Sequence, residues 1–297
     1  MIELKTEQLS VQFQTFGGAL SSIKDKDGIE YLWQGDPTYW GGQAPVLFPI
    51  CGSVRNDTVL YEQEDGSQVA GKIPRHGLVR KKEFELVEQT ENSVTFAIEG
   101  DQDMYESYPY HFRLEITYTV TGKTIRTQYQ VTNKETDKKM PYFIGGHPGF
   151  NCPLFDDEAY EDYYLEFEKS ETCTVPKPFP ETGMLDFQDR SSWLKEQKEL
   201  DLNYDFFSYD AVTLDELASR SVSLRSRKHD KGLKLDFEEF PNLIVWSTLN
   251  KGPFLALEPW SGLSTSLEEG DHLEDKKNVR ILNPAQSDQI GFNIKIF

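Results

Sequence analysis

Apolar residues recur at every second position along much of this chain. Phe112, Leu114, Ile116, Tyr118 and Val120 alternate with His111, Arg113, Glu115, Thr117 and Thr119. The turn Thr121-Gly122-Lys123 follows. Ile125, Tyr129 and Val131 then alternate with Arg126, Gln128 and Gln130. A period of two sends successive side chains to opposite faces, so these runs predict a hairpin with one buried and one wetter face. The pattern recurs at Ile29, Tyr31 and Trp33, at Val94, Phe96 and Ile98, and at Tyr163, Leu165 and Phe167. It returns at Leu233, Leu235 and Phe237, and finally at Ile290, Phe292, Ile294 and Ile296. Helical signals are few. Residues 191–197 and 213–218 begin with capping-type residues and each predicts a short helix. Residues 175–203, with Pro176, Pro178, Pro180 and Gly183, predict a loop-rich segment. No fixed-period repeat is present. The expectation is all-β: one large antiparallel β-sandwich domain over residues 1–297, with two packed sheets and a few short helices.

Composition narrows the function classes. The net charge is −19, which disfavours nucleic acid and anionic lipid surfaces as partners. Only Cys51, Cys152 and Cys173 occur, with no Cys-x-x-Cys, so neither a disulfide framework nor a thiolate zinc site is suggested. That usage fits a reducing compartment. The amino terminus lacks a basic start and an apolar core, so no signal peptide is read there. No run approaches the ~18 apolar residues of a membrane helix. A soluble, cytoplasmic protein is expected.

Five stretches stand out from the strand pattern. In Met140-Pro141-Tyr142-Phe143-Ile144-Gly145-Gly146-His147-Pro148-Gly149, an apolar run leads through two glycines, expected to turn the chain, to one histidine. Pro148 biases His147 towards an extended backbone. An imidazole so presented exchanges protons near neutral pH; a buried histidine satisfied by backbone is the alternative. Glu258 ends the apolar run Phe254-Leu255-Ala256-Leu257, beside Pro259 and Trp260. Partial burial there raises a carboxyl pKa towards that of a general base. His76 lies between Pro74-Arg75 and Gly77, Arg55 in the Gly/Ser loop Cys51-Gly52-Ser53-Val54, and Asp210 beside the aromatic run 206–209. Each of these three has a bland alternative as loop histidine, surface ion pair or turn aspartate. His76, His111, His147, His229 and His272 lack metal-ligand spacing, and no phosphate-binding glycine loop occurs. The residues point to cofactor-free acid/base chemistry with one imidazole and one carboxylate.

Taken in order along nearly the full chain, Phe48-Pro49, Gly145-Gly146-His147-Pro148 and Leu257-Glu258-Pro259-Trp260 resemble the aldose 1-epimerase (galactose mutarotase) family, most closely its LacX-like branch. The resemblance implies a β-supersandwich with an open sugar cleft and no cofactor or metal. It implies Glu258 as the base at the anomeric hydroxyl and His147 as the acid at the ring oxygen. It further implies sugar-binding roles for His76, Arg55 and Asp210, and it makes Trp260 or Phe150 candidates to pack against the sugar. The expected partner is a small sugar, a hexose, and the protein a monomer or homodimer. The sequence departs from the family's sugar-contacting neighbours at Ser53-Val54-Arg55, Pro74-Arg75-His76-Gly77 and Glu258-Pro259-Trp260. This leaves a hexose phosphate open, with Arg55, Arg75 and Arg80 to supply charge. The competing readings are a non-catalytic sugar-binding or sensing protein, and a glycoside hydrolase using Glu258 with Asp210 as paired carboxylates.

Overall fold

Strands Phe112–Thr121 and Thr124–Asn133 form the hairpin that the alternation predicts, with burial switching residue by residue. They sit inside a nine-stranded antiparallel sheet in the computed structural model, which describes residues 2–62 and 66–297. From one edge the sheet runs Met184–Asp201, Tyr163–Phe179, Ser221–Ser226, Gly232–Asp236 and Ser287–Ile296. It continues through Thr124–Asn133, Phe112–Thr121 and Ser93–Glu99 to Glu85–Gln89. A second sheet has six strands. Its path is Val212–Leu214, Asn242–Trp246, Phe254–Trp260, Gly145–Gly146 and Val46–Leu47, with Gly149–Asn151 also paired to Phe254–Trp260. Three smaller antiparallel units complete the all-β architecture.

The two large sheets meet directly. A Cβ on Gly146 would come within 2.9 Å of the Phe292 ring and 3.0 Å of the Tyr129 hydroxyl, both from the nine-stranded sheet. One contiguous set of buried apolar side chains runs from Leu4 to Ile296. No helix among the described residues is long and apolar enough to cross a membrane.

Three local expectations are corrected. Residues 191–197 are not helical: they lie within strand Met184–Asp201. Residues 175–203 are not a loop but much of a long hairpin formed with Tyr163–Phe179. Its prolines are tolerated because Ser221–Ser226 pairs only with Tyr163–Phe167, leaving the later positions unpaired on that side. Register shifts flank Pro176 and absorb the missing amide donors. In 213–218, Thr213 and Leu214 end strand Val212–Leu214, and no helix follows. The α-helix that does form, Gln102–Ser107, is capped by Asp101, whose carboxylate accepts from the Met104 amide at 2.8 Å.

Gly146→Ala should lower stability by about 1–3 kcal/mol, because a methyl there must push apart packed aromatic rings. Urea titration checks this: the midpoint should fall at constant slope, and an unchanged midpoint would contradict the close sheet-to-sheet contact.

Candidate active site

Strand Phe254–Trp260 is buried at every position because it has paired neighbours on both sides. On one side Ile244 lies opposite Glu258. On the other, Gly145 pairs with Trp260 and Gly149 with Ala256. Those two bridges share one register, so the interrupted position between them, His147, falls opposite Glu258. Alternate positions share a face of a sheet. Glu258, Trp260, Ile244 and Trp246 therefore line one cavity together with His147. The glycines around His147 serve close approach rather than a turn. Neither Gly145 nor Gly146 has a positive φ. A Cβ on Gly145 would stand 2.8 Å from the Trp260 ring, and one on Gly149 2.8 Å from Trp40.

His147 Nε2 stands 3.3 Å from Glu258 Oε2, and both side chains are buried. The His147 amide donates to the Pro45 carbonyl at 3.1 Å, and the Leu257 amide donates to Pro148 at 3.2 Å. The second of these bonds ties the His147 segment to the strand that carries the carboxyl group. Trp40 lies over the imidazole at 4.8 Å between ring centroids, with Trp246 edge-on at 5.5 Å. Such an apolar wall disfavours charge on either partner. Burial pushes Glu258 well above the usual carboxylate range; Arg75 opposes this, Asp210 adds to it, and the nearby Trp260 indole N–H opposes it. Burial drives His147 down to about 3, with Arg75 and Arg80 adding to the shift and its own backbone opposing it. Burial thus disfavours the charged form of both partners. His147 Nδ1, Glu258 Oε2 and Trp260 Nε1 are buried without a hydrogen-bond partner. That unused capacity suits a ligand rich in hydroxyls.

His76 closes the cavity beside His147, with ring centroids 5.4 Å apart. Its backbone has φ 70° and donates to the Gly52 carbonyl at 2.8 Å, while the Gly52 amide donates to His76 Nδ1 at 3.2 Å. An acceptor Nδ1 puts the ring proton on Nε2. Burial, and then His147, Arg75 and Arg80, hold His76 well below the usual imidazole range. Across the cavity, Arg75 donates to Asp210 Oδ2 from both terminal nitrogens at 3.4 Å. Asp210 is itself held by the Ala211 amide at 2.8 Å. The cavity encloses about 230 Å³ and is completed by Trp40, Pro45, Arg80 and Ala211.

The fold thus brings together His76, His147, Asp210 and Glu258, and it leaves Arg55 outside. Arg55 donates to Asp271 Oδ1 at 3.2 Å and to the carbonyls of Ser266, Leu267 and Glu269, and it does not line the cavity. The guanidinium groups at the cavity are those of Arg75 and Arg80. Phe150 is likewise corrected: it is fully buried in the core and does not reach the cavity, whereas Trp260 does. Trp40 and Trp246 were not singled out by sequence. Trp246 closes the apolar run 243–246 in the same way that Glu258 closes its own. Among the described residues no group of three or more His, Cys, Asp or Glu could hold a metal ion.

The family described as aldose 1-epimerase matches residues 1–280. The chromosomally encoded protein LacX of Lactococcus lactis subsp. lactis is 62% identical over 295 residues, covering 99% of both chains. A galactose mutarotase related enzyme from Lactobacillus acidophilus superimposes with a TM-score of 0.92 at 27% identity, over 100% of this chain and 97% of that one. A galactose mutarotase-like protein from Lactobacillus casei gives 0.89, also at 27% identity, over the full length of both.

Nitrogen-15 NMR of the imidazoles tests the electrostatics. Between pH 5 and 8 His147 should stay neutral, and His76 should stay neutral as the Nε2–H tautomer. An imidazolium forming near pH 6.5 at either ring would contradict the burial argument.

Proposed function

The chain belongs to the aldose 1-epimerase family, and on that premise we propose that it is an isomerase interconverting the α- and β-anomers of a hexose. The observation that carries this reading is the 3.3 Å approach of His147 Nε2 to Glu258 Oε2 inside the cavity. Opening a cyclic hemiacetal requires a proton taken from O1 and a proton given to O5 as the C1–O5 bond breaks. A base and an acid that touch each other before the sugar enters can span that O1–C1–O5 unit once it is bound.

Proton bookkeeping fits a pair that shares one proton. In the reactive tautomer Glu258 is ionised and His147 is protonated. Glu258 accepts the O1 proton, the electron pair of that O–H bond forms the aldehyde, and His147 delivers its proton to O5. The pair ends with its proton on Glu258 and a neutral His147, the same state that burial favours in the empty cavity. Rotation about C1–C2 presents the other face of the aldehyde, and the reverse transfers close the ring as the opposite anomer. No electrons and no group are transferred overall, so the reaction asks for no cofactor. The Nε2–H of His76 is a fixed donor for a ring or hydroxyl oxygen, and Asp210 with Arg75 can bind hydroxyls further round the ring. Three buried, unpaired cysteines support a cytoplasmic location.

Exchange between hexose anomers, followed by polarimetry or two-dimensional exchange NMR, should be accelerated by the protein. Glu258→Gln and His147→Asn should each reduce that rate by about 10²–10⁴-fold. Saturable sugar binding with no accelerated exchange would point instead to a binding or sensing role.

The pH profile gives a second test. A pair active with one proton loses activity when it gains a second, at the low value of His147, and when it loses its last, at the raised value of Glu258. The acidic limb of kcat/KM should therefore fall below 4.5, the ordinary glutamate value. An acidic limb at or above that value would contradict the shared-proton account.

A further inference from the structure

Trp260 brings to the cavity a polar group that the proposed reaction has not used. The side chain is almost fully buried, and its indole N–H meets no acceptor among the described residues. A buried donor left unpaired is costly and calls for a use. Glu258 has the matching lack: its Oε2 is buried without a hydrogen bond. The indole N–H nonetheless bears on that carboxyl group, working against the rise that burial imposes.

The fold fixes the indole beside the carboxyl group. Trp260 and Glu258 stand two residues apart on strand Phe254–Trp260, so both project from one face into the same cavity. Opposite Trp260 the neighbouring strand has Gly145. A Cβ there would lie 2.8 Å from Trp260 Cδ1, the ring atom bonded to Nε1, and 3.1 Å from Cys51 Sγ. The edge of the indole that carries the N–H therefore rests where a larger residue would displace it. His76 meets the same ring edge-on, with centroids 5.4 Å apart and planes at 74°. On the other neighbouring strand Asn242, fully buried and paired in register with Trp260, donates from Nδ2 to its carbonyl at 3.2 Å.

We propose that Trp260 is a positioning residue for the base: its indole N–H donates to the Glu258 carboxylate as that group ionises, which makes the base available inside an apolar cavity. The proposal rests on the ring-opening reading for the identity of the base. In that reading the proton passes from the Glu258 carboxyl group to His147 Nε2 before Glu258 accepts another from O1. Negative charge then appears on a group that has no water to solvate it. A hydrogen bond to a charged acceptor is stronger than one to a neutral acceptor, so the indole favours the ionised form over the protonated one. Indole is a donor only, so it does not compete for the proton being moved. The titratable and charged groups around Glu258 are His76, His147, Arg75, Arg80, Asp210 and the Cys51 thiol. Beside them the indole supplies a neutral donor on the carboxyl group's own strand and face.

The test compares the wild type with Trp260→Phe, which keeps an aromatic ring without the N–H, and Trp260→Gln, which returns an N–H donor. Infrared spectra differenced against Glu258→Gln report the protonated C=O band of Glu258. The pH at which that band gives way to carboxylate should rise by about one to two units in Trp260→Phe and fall back in part in Trp260→Gln. The kcat for anomer exchange should drop about 10- to 100-fold in Trp260→Phe with KM little changed, and Trp260→Gln should recover part of it. Where the carboxyl group stays protonated over the whole accessible range, its C=O stretch should still move to higher frequency once the N–H is gone. A benzothienyl isostere at position 260, with sulfur in place of the N–H, makes the same comparison with the ring shape intact and controls for misfolding. The infrared arm needs no turnover, so it decides the role of Trp260 even if the protein accelerates no exchange. A band with unchanged midpoint and frequency in Trp260→Phe and in the isostere would overturn the proposal. A raised KM at unchanged kcat would overturn it too, since that marks a ring that only packs against the sugar.

Discussion

One buried contact organises this molecule: an imidazole and a carboxyl group 3.3 Å apart with water largely excluded. Either partner alone would be costly in that setting. Leaving one member of a buried pair charged and unmatched costs about 3–5 kcal/mol. The neutral forms that burial favours on both side chains avoid most of that cost. In the proposed ring opening the pair gives one proton to O5 and receives another from O1, so its own total stays at one. Acid and base in this account are one titrating unit, set by burial rather than by the solution properties of histidine and glutamate.

The sheet geometry exists to hold that unit. His147 occupies a gap in the ladder between Gly145 and Gly149, and the bridges on either side keep it level with Glu258. The surrounding indoles then need room. Glycine at 145 and at 149 gives Trp260 and Trp40 their approach to the site. The nine-stranded sheet contributes no residue to the cavity lining, but its Phe292 and Tyr129 back the strand that leads to His147. The cavity lining thus comes from the smaller sheet and three loops, and the larger sheet packs behind it.

The period-two pattern made the all-β fold legible, because alternation in Phe112–Thr121 and Thr124–Asn133 translates directly into burial. Glu258 and His147 were legible for a related reason: each interrupts an apolar run where an ionisable group is expensive. The long hairpin was misread because its prolines look like loop residues until the missing neighbour strand is known. The arginines could not be sorted locally. Arg55 and Arg75 both sit in loops with glycine nearby, and only tertiary docking decides that one meets Asp271 and the other Asp210. Trp40 was hidden because nothing in its own segment reveals that it will lie over an imidazole contributed from far along the chain.

The most direct test of the shared proton is the infrared signature of the carboxyl group itself. Difference spectra between the wild-type protein and Glu258→Gln should be recorded at about pH 5.5, a unit above the ordinary glutamate value. The account predicts a protonated carboxylic C=O band in the wild type that is missing from the variant. A difference spectrum containing only ionised carboxylate bands at that pH would contradict it.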